Sequence, residues 1–294
     1  MNRIEEIKSI ISSDDNLVII KNSDIIYSNT NASLNNNVLT LDNVDLKIFY
    51  LIDQDVNYTL NISNSVALTE VYYDVCSDVS LTQNYNINSN SNVNIVSVIK
   101  NGLTRKVQTN VEEGAYLKLD NLYIATCSTN VCTDIILNKS MINCEVNNVI
   151  IAVCGCTSQL DFNISHLVNN STSSMVTYAV SKNNSVLNVN TNGIIKKGAY
   201  KTDLNQKTKG LILDNDSQIS ANPILEIDEY DVIASHGAGV GAIDEEELYY
   251  LMSRGLRKEE SEKLIIGGLI YPFLASIKSE NIKNYVSNLI NKAL

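Results

Sequence analysis

Apolar and polar residues alternate along most of the first 240 residues of the chain. Clear examples are residues 44–48, 56–62 and 160–165. A period of two is typical of β-strands that bury one face. Clusters of asparagine, serine and aspartate separate these stretches, as at residues 35–37 and 88–92, and such side chains favour turns. The pattern therefore predicts many short strands joined by small polar corners.

Many short strands over most of a 294-residue chain suit a β-sandwich, a β-barrel or a parallel β-solenoid. The abundance of asparagine favours the solenoid, because stacked rungs allow equivalent side chains to form ladders. No fixed-length repeat is visible, and a genome poor in G and C would also raise the asparagine content. The residues alone leave the three architectures open.

The pattern changes to helical spacing after Gly241. Asp244 and Glu247 have the spacing of a capping box, and Gly255 is suited to end a helix. Residues 244–254 are therefore predicted to form one short helix.

Two further helices are predicted at residues 258–270 and 281–292, where apolar side chains recur at helical spacing. The sequence thus divides into three parts. A short N-terminal helix lies within residues 1–15, a β core covers residues 16–240, and a C-terminal helical domain covers residues 241–294.

Composition narrows the classes of function. Lysine and arginine number 22 against 33 acidic residues, which gives a net charge of −11 and makes nucleic acid an unfavourable partner. No apolar run reaches the length of a membrane span, so we expect no membrane contact. The first six residues carry acid where a signal peptide needs base, so we expect a cytoplasmic protein with its six cysteines as thiols.

Histidine is scarce, and His236 is the more interesting of two. Three glycines follow it within five residues, at Gly237, Gly239 and Gly241. An imidazole beside such flexible backbone is well placed to bind a metal or move a proton. The alternative is a hydrogen-bonded structural histidine at the junction between strand and helix.

Other chemistry-bearing residues have ordinary explanations as well. Cys154 and Cys156 would place two thiols on one face of a strand, where they could bind a soft metal, although burial as small apolar residues is the favoured interpretation. Glu226 and Asp228 could hydrolyse glycosides, since β-solenoids host polysaccharide enzymes. Aromatic residues make up only 6% of the chain and tryptophan is absent, so surfaces for stacking sugars are poor.

One part of the chain resembles a known family. The matching segments are residues 210–213, 221–227, 231–232, 235–238, 241–244, 248–251 and 253–256. In this order they resemble the C-terminal signature of the SufB/SufD family of iron–sulfur cluster assembly proteins. Before about residue 160 only the β character agrees.

The resemblance implies a right-handed parallel β-helix core with a small C-terminal helical domain. It also implies a non-enzymatic scaffold subunit that pairs with a second β-helix and docks a SufC-like ABC ATPase through its helices. A transient iron–sulfur cluster would be assembled near the interface, and no tightly bound cofactor is expected. The mate would be a SufB-like paralogue or a second copy of this chain.

Two positions favour a SufD-like member. The cysteine that marks SufB falls at Ser217, and the His-Glu-Ala of SufB is His-Gly-Ala at His236. The resemblance implicates His236 in cluster assembly. Glu226 and Asp231 are expected nearby as metal or proton-handling groups.

Departures from the family pattern keep alternatives open. The long N-terminal helical domain of typical members is missing, so a minimal SufB-like homodimer that works with SufC is one alternative. Cys154 and Cys156 would then supply the thiols that Ser217 lacks. A β-solenoid enzyme acting on polysaccharide, and a purely structural partner that touches no cluster, are two more.

The expected ATPase contacts lie on the first C-terminal helix, because aromatic residues and arginine dominate binding hot spots. They are Leu248, Tyr249, Tyr250, Arg254 and Gly255.

Overall fold

The computed structural model describes residues 3–77 and 79–294, so Met1 and Asn2 of the predicted N-terminal helix lie outside the described residues. The helices in this part are α1 (Arg3–Ile10), α2 (Glu245–Ser253), α3 (Lys258–Ser276) and α4 (Glu280–Ala293). The strands are β1 (Leu17–Lys21), β2 (Asp24–Ser28), β3 (Leu34–Asn35), β4 (Val38–Ile52), β5 (Val56–Val75), β6 (Ser80–Ile87), β7 (Asn92–Lys100), β8 (Thr104–Val111), β9 (Tyr116–Ala125), β10 (Asn130–Leu137), β11 (Asn143–Ala152), β12 (Thr157–His166), β13 (Thr172–Ser181), β14 (Val186–Ile195), β15 (Thr202–Ile212), β16 (Gln218–Ile227) and β17 (Val232–Ala242).

The strands stack in two parallel ladders. In the first ladder, the first halves of β4 and β5 are followed by the even-numbered strands β6 to β16. In the second, β1 and the second halves of β4 and β5 are followed by the odd-numbered strands β7 to β17. The chain forms a β-solenoid of about eight turns, which confirms the parallel β-helix that the resemblance implies.

Successive turns differ in length, which explains why no fixed repeat is visible in the sequence. Asn110 bonds to Asn86, 24 residues earlier, whereas Asn222 bonds to Asn190, 32 residues earlier. The added residues lie in the corners, because the paired strands keep a regular register. The strand pattern therefore repeats in space but not at a constant interval in the sequence.

The N-terminal end of the solenoid is closed by antiparallel strands. β2 pairs with β1, and β3 folds back on the start of β4. Ile25, Ala32 and Leu34 from this segment pack against the inner core. These residues cover the apolar interior at that end.

The interior of the solenoid also holds a polar cluster. Glu70 is fully buried and accepts hydrogen bonds from Tyr50 at 3.0 Å and Tyr85 at 2.6 Å. Arg105 donates to Tyr123 at 3.0 Å and lies 4.0 Å from the Glu70 carboxylate. Burial, and after it the negative charge of Glu70, raises the pKa of Tyr50 and of Tyr85 well above the usual value for tyrosine. The cluster is a hydrogen-bonded unit in which the charge of Arg105 compensates that of Glu70 inside the core.

Helices α1, α3 and α4 cover the outside of the second ladder. Ile266, Ile270 and Phe273 of α3 share a buried cluster with outward-facing residues such as Leu122 and Ile151. The second halves of β9 and β11 are consequently buried on both faces. Their continuous apolar sequence suits this covered environment. The C-terminal helices thus lie along the flank of the β-helix.

The predicted helices occur with small changes in their bounds. Asp244 caps α2 by accepting from the backbone N–H groups of Glu246 and Glu247, and Gly255 follows with a positive φ of 99°. Helix α3 continues six residues beyond the predicted end at 270, with Pro272 inside it. Burial of Phe273 against the solenoid accounts for this continuation, because it offsets the hydrogen bond that proline cannot make.

Candidate functional site

The C-terminal end of the solenoid is not covered. No residue of β16 or β17 is buried, although the strands beneath them bury every second residue. Apolar side chains at this end are 41–67% exposed, at Ile224, Ile227, Ile233 and Val240. Among the described strands β17 pairs only with β15, so its outer edge carries unpaired backbone groups. We call this surface, formed by β16 and β17, the open end.

The glycine-rich segment lies inside a strand rather than in a loop. Gly237, Gly239 and Gly241 belong to β17, and a side chain at any of them would meet no atom within 4 Å. The alternative of a structural histidine at a strand-to-helix junction is therefore wrong about the location, since the strand continues to Ala242. The glycine pattern alone does not distinguish a flexible loop from an edge strand whose outward-facing residues are glycines.

His236 faces the mouth of the solenoid. In β17, Val232 and Ala234 pack on Leu204, and strand alternation places His236 on that inward side. Its register partner is Gln206, which is 4% exposed. The imidazole is exposed and borders a groove of about 680 Å³ lined by residues 205–211 and 235–242. A second molecule at the open end would reach this ring.

The two acidic candidates do not converge on His236. Glu226 pairs in register with Ile194 and follows the inward-facing Leu225, so it points outward from β16. Asp231 lies in the corner before β17, where its carbonyl accepts a hydrogen bond from the backbone N–H of Lys201 at 2.6 Å. Both residues lie at the open end, on different sides from the imidazole. The described residues hold no group of three or more histidine, cysteine or acidic side chains arranged to bind a metal.

The predicted cysteine pair occupies another part of the molecule. Cys154 and Cys156 lie in the corner between β11 and β12, not on a strand face. This corner is three strands below the end of β17 in the second ladder, and His236 is midway along β17. From strand spacing and rise the separation is on the order of 20 Å. The thiols and the imidazole do not form one site within this chain.

The residues expected to bind the ATPase lie on an outlying helix. Helix α2 has no buried residue, and it contacts α3. Tyr249 is 75% exposed and Tyr250 is 56% exposed, while the Arg254 guanidinium lies 5.1 Å from the Tyr250 ring centre. Leu248 is half-buried and Gly255 is exposed at the end of the helix. The helix presents an aromatic face with a positive charge beside it.

Sequence reasoning missed the apolar part of the open end. Ile227 and Val240 lie on the inward side and have the same alternating pattern as the buried strands, so the sequence gives no sign that they are exposed. The available signal was the change to helical spacing directly after β17. His166 differs from His236, because it is buried and bonds through both ring nitrogens to Ser171 and Ser173 at 2.7 Å.

None of the described helices is long and apolar enough to cross a membrane.

Comparison with known proteins gives one family. The SUF system FeS cluster assembly, SufBD core domain, matches residues 64–269. The chain is 29% identical over 242 residues to the iron-sulfur cluster assembly protein SufD of Bacillus subtilis, which covers 81% of this chain and 54% of that protein. It is 33% identical over 105 residues to SufD of Escherichia coli, covering 35% of this chain and 25% of that protein.

A SufBD family protein of Staphylococcus haemolyticus is 35% identical over 117 residues, covering 39% of this chain and 25% of that protein. The chain therefore spans about half the length of the Bacillus subtilis relative and less of the others. The family match covers most of the β-helix, the open end, α2 and much of α3. This chain belongs to the SufBD core family of the SUF iron–sulfur cluster assembly system.

Proposed function

We propose that this chain is a non-enzymatic scaffold subunit for iron–sulfur cluster assembly. Three features support the proposal together: membership of the SufBD core family, an uncovered end of the β-helix, and an exposed aromatic helix beside it. The open end is the observation that carries it. An exposed strand edge with apolar side chains is a liability unless another chain covers it.

The open end is proposed to pair with a second β-helix. Strand β17 offers unpaired backbone groups, and the apolar residues Ile233 and Val240 offer surface that becomes dry on contact. The groove beside His236 is lined by no cysteine. Iron–sulfur clusters are held mostly by thiolates. A SufB-like paralogue that brings thiols therefore complements this surface better than a second copy of the chain does.

His236 is proposed to act at that interface. An imidazole suits Fe²⁺, and it is placed where the mate would lie against it. The iron and sulfide are cargo in this proposal, held while the cluster forms and then passed on. Glu226 and Asp231 border the same end and remain candidates for groups that act only once the mate is present.

Helix α2 is proposed as the docking site of a SufC-like ABC ATPase. Tyr249, Tyr250 and Arg254 are the residue types that carry most binding energy at interfaces, and they are exposed here. Since α2 has no buried residue, the solenoid does not need these side chains for its own packing. The neighbouring α3 links the docked ATPase to the flank of the β-helix.

Co-purification tests the proposal. The tagged chain is co-expressed with a SufC-like ATPase and a SufB-like paralogue, and the bound proteins are quantified. Tyr249→Ala with Tyr250→Ala is expected to weaken ATPase binding by at least about tenfold, as loss of hot-spot residues does. Tyr200→Ala, an exposed tyrosine of a solenoid corner, is the matched control. Equal ATPase recovery from both variants would remove α2 as the docking site, and no ATPase with the unsubstituted chain would remove the scaffold proposal.

A further inference from the structure

Cys154 and Cys156 lie two residues apart in one corner of the solenoid, in surroundings unlike those of Cys144. Cys144 is fully buried in the inner core and behaves as a small apolar residue. Cys154 and Cys156 are only half-buried and belong to neither hydrophobic cluster. Packing therefore does not account for them.

The turn at Gly155 brings the two thiols together. In an extended strand, alternate Cα atoms lie roughly 7 Å apart, which is too far for a disulfide. Here all three residues bend, and Gly155 has a positive φ of 69°. The Cys156 Sγ donates to the Cys154 carbonyl at 3.7 Å. Burial raises the pKa of the Cys154 thiol, and the hydrogen-bonded Cys156 thiol raises it as well.

Backbone hydrogen bonds hold the corner in this shape. The N–H groups of Cys154 and Gly155 both donate to the Ser185 Oγ of the next turn, at 3.0 and 3.1 Å. Cys127 lies in the corner of the preceding turn and is near enough to add to the raised pKa of Cys154, but its Sγ accepts a hydrogen bond from the backbone N–H of Gly102 at 3.0 Å. Each of these two thiols therefore has the other as its natural partner.

We propose that Cys154 and Cys156 form a redox dithiol that closes reversibly to a disulfide with small disulfide oxidants such as oxidised glutathione. One cysteine thiolate attacks a glutathione sulfur, the glutathione S–S bond breaks, and one glutathione thiolate leaves. The second cysteine thiolate attacks the protein sulfur of the mixed disulfide and releases the other glutathione. Two electrons pass to glutathione, and the two leaving thiolates take up the two protons. This site is separate from the open end and does not depend on the scaffold proposal.

Thiol mapping of the full chain tests this site. The reduced protein is incubated with oxidised glutathione at mildly alkaline pH, blocked with N-ethylmaleimide and digested for mass spectrometry. The protein is expected to lose two of its six thiols, and the peptide with residues 154–156 is expected to be two hydrogens lighter and unblocked. Dithiothreitol is expected to restore both thiols.

Single substitutions separate closure from simple reactivity. Cys154→Ser is expected to stop at a glutathione adduct on Cys156, whereas Cys127→Ser is expected to close as the unsubstituted chain does. Phenylarsine oxide bridges neighbouring thiols. One equivalent is expected to protect both cysteines from N-ethylmaleimide, and this protection is expected to be lost in Cys154→Ser. Circular dichroism checks that each variant is folded. Persistent glutathione on both cysteines, or a disulfide from Cys127 to Cys154, would overturn the proposal.

Discussion

Asparagine performs two separate tasks in this protein. In the corners it adopts the left-handed backbone that other residues avoid, and apart from Met141 and Lys201 every described non-glycine residue with positive φ is asparagine. On the strands it forms ladders between turns, as where Asn192 donates to Asn163 at 2.6 Å. The sequence predicted ladders between stacked turns but placed its asparagine clusters in corners. The structure places many of them on the outer strand faces instead.

His166 gives a pH dependence to stability. Burial lowers its pKa to about 4, from an ordinary value of 6.5. The unfolded chain therefore binds a proton that the folded chain does not, and stability falls as pH falls from 6.5 toward 4. The loss is on the order of 3 kcal/mol. The free energy of unfolding is measured by urea denaturation across this pH range. Its change with pH is expected to be smaller for His166→Gln than for the unsubstituted chain, and equal changes would contradict this role of His166.

His236 is expected to matter for assembly and not for folding. Its ring is exposed and the strand around it is held by backbone bonds to β15, so His236→Ala should leave the thermal midpoint unchanged. The iron–sulfur cluster content of the complex, co-expressed with its mate, is expected to fall by about tenfold or more. This is the size of effect that loss of a residue supporting a metal site has. Leu167→Ala, an exposed residue of the corner after β12 and away from the open end, is the control. Normal cluster content in His236→Ala would leave the family role intact and remove the role of the ring.

The last strand, β17, is the element at which the proposed pairing can be tested. Val240 lies on the inward side, 3.1 Å from where a side chain on Gly210 would begin, and is 41% exposed. Val240→Glu is expected to leave the isolated chain folded and to prevent pairing, because a carboxylate would be buried without a partner. Sedimentation of the variant, with and without the mate, measures whether the two chains pair.

Ile26→Glu is the matched control for that experiment. Ile26 is 38% exposed and lies at the N-terminal end, which strands β2 and β3 close. It is expected to pair as the unsubstituted chain does. Loss of pairing in both variants would indicate a general effect of charge and contradict the placement of the interface at β17.

The whole solenoid depends on neutralising the charges in its interior. Glu70 and Arg105 are both buried. Gln83 and Ser97 donate to the Glu70 carboxylate, and the Gln83 side-chain oxygen accepts from both Arg105 and Tyr72. Glu70→Gln leaves the guanidinium uncompensated and is expected to cost about 3–5 kcal/mol.

Chemical denaturation checks this expectation, with Glu280→Gln as control because Glu280 belongs to an exposed pair with Lys283. Replacing Glu70 and Arg105 together by apolar residues is expected to recover much of the loss. A cost for Glu70→Gln no greater than that for Glu280→Gln would show that the interior charges are not coupled.

Much of this protein follows from the sequence alone. Period-two alternation between residues 44 and 165 determines strands, and the Asp244 cap and Gly255 determine the ends of α2, because these signals act over a few residues. The family resemblance then selects the solenoid from architectures that the alternation leaves open. His236 was selected as a candidate from its glycine-rich context and from the resemblance, and the structure shows that this context is a strand.

The tertiary structure decides what depends on the stacking of turns. Whether Val240 is core or interface depends on a strand that would lie above it, and whether Cys154 faces Cys156 or Cys127 depends on the corners of neighbouring turns. The helices lie on the flank because the second halves of the second-ladder strands leave an apolar face there. Local sequence sets the shape of each turn, whereas burial is a property of the turns together, and so the open end appears only in three dimensions.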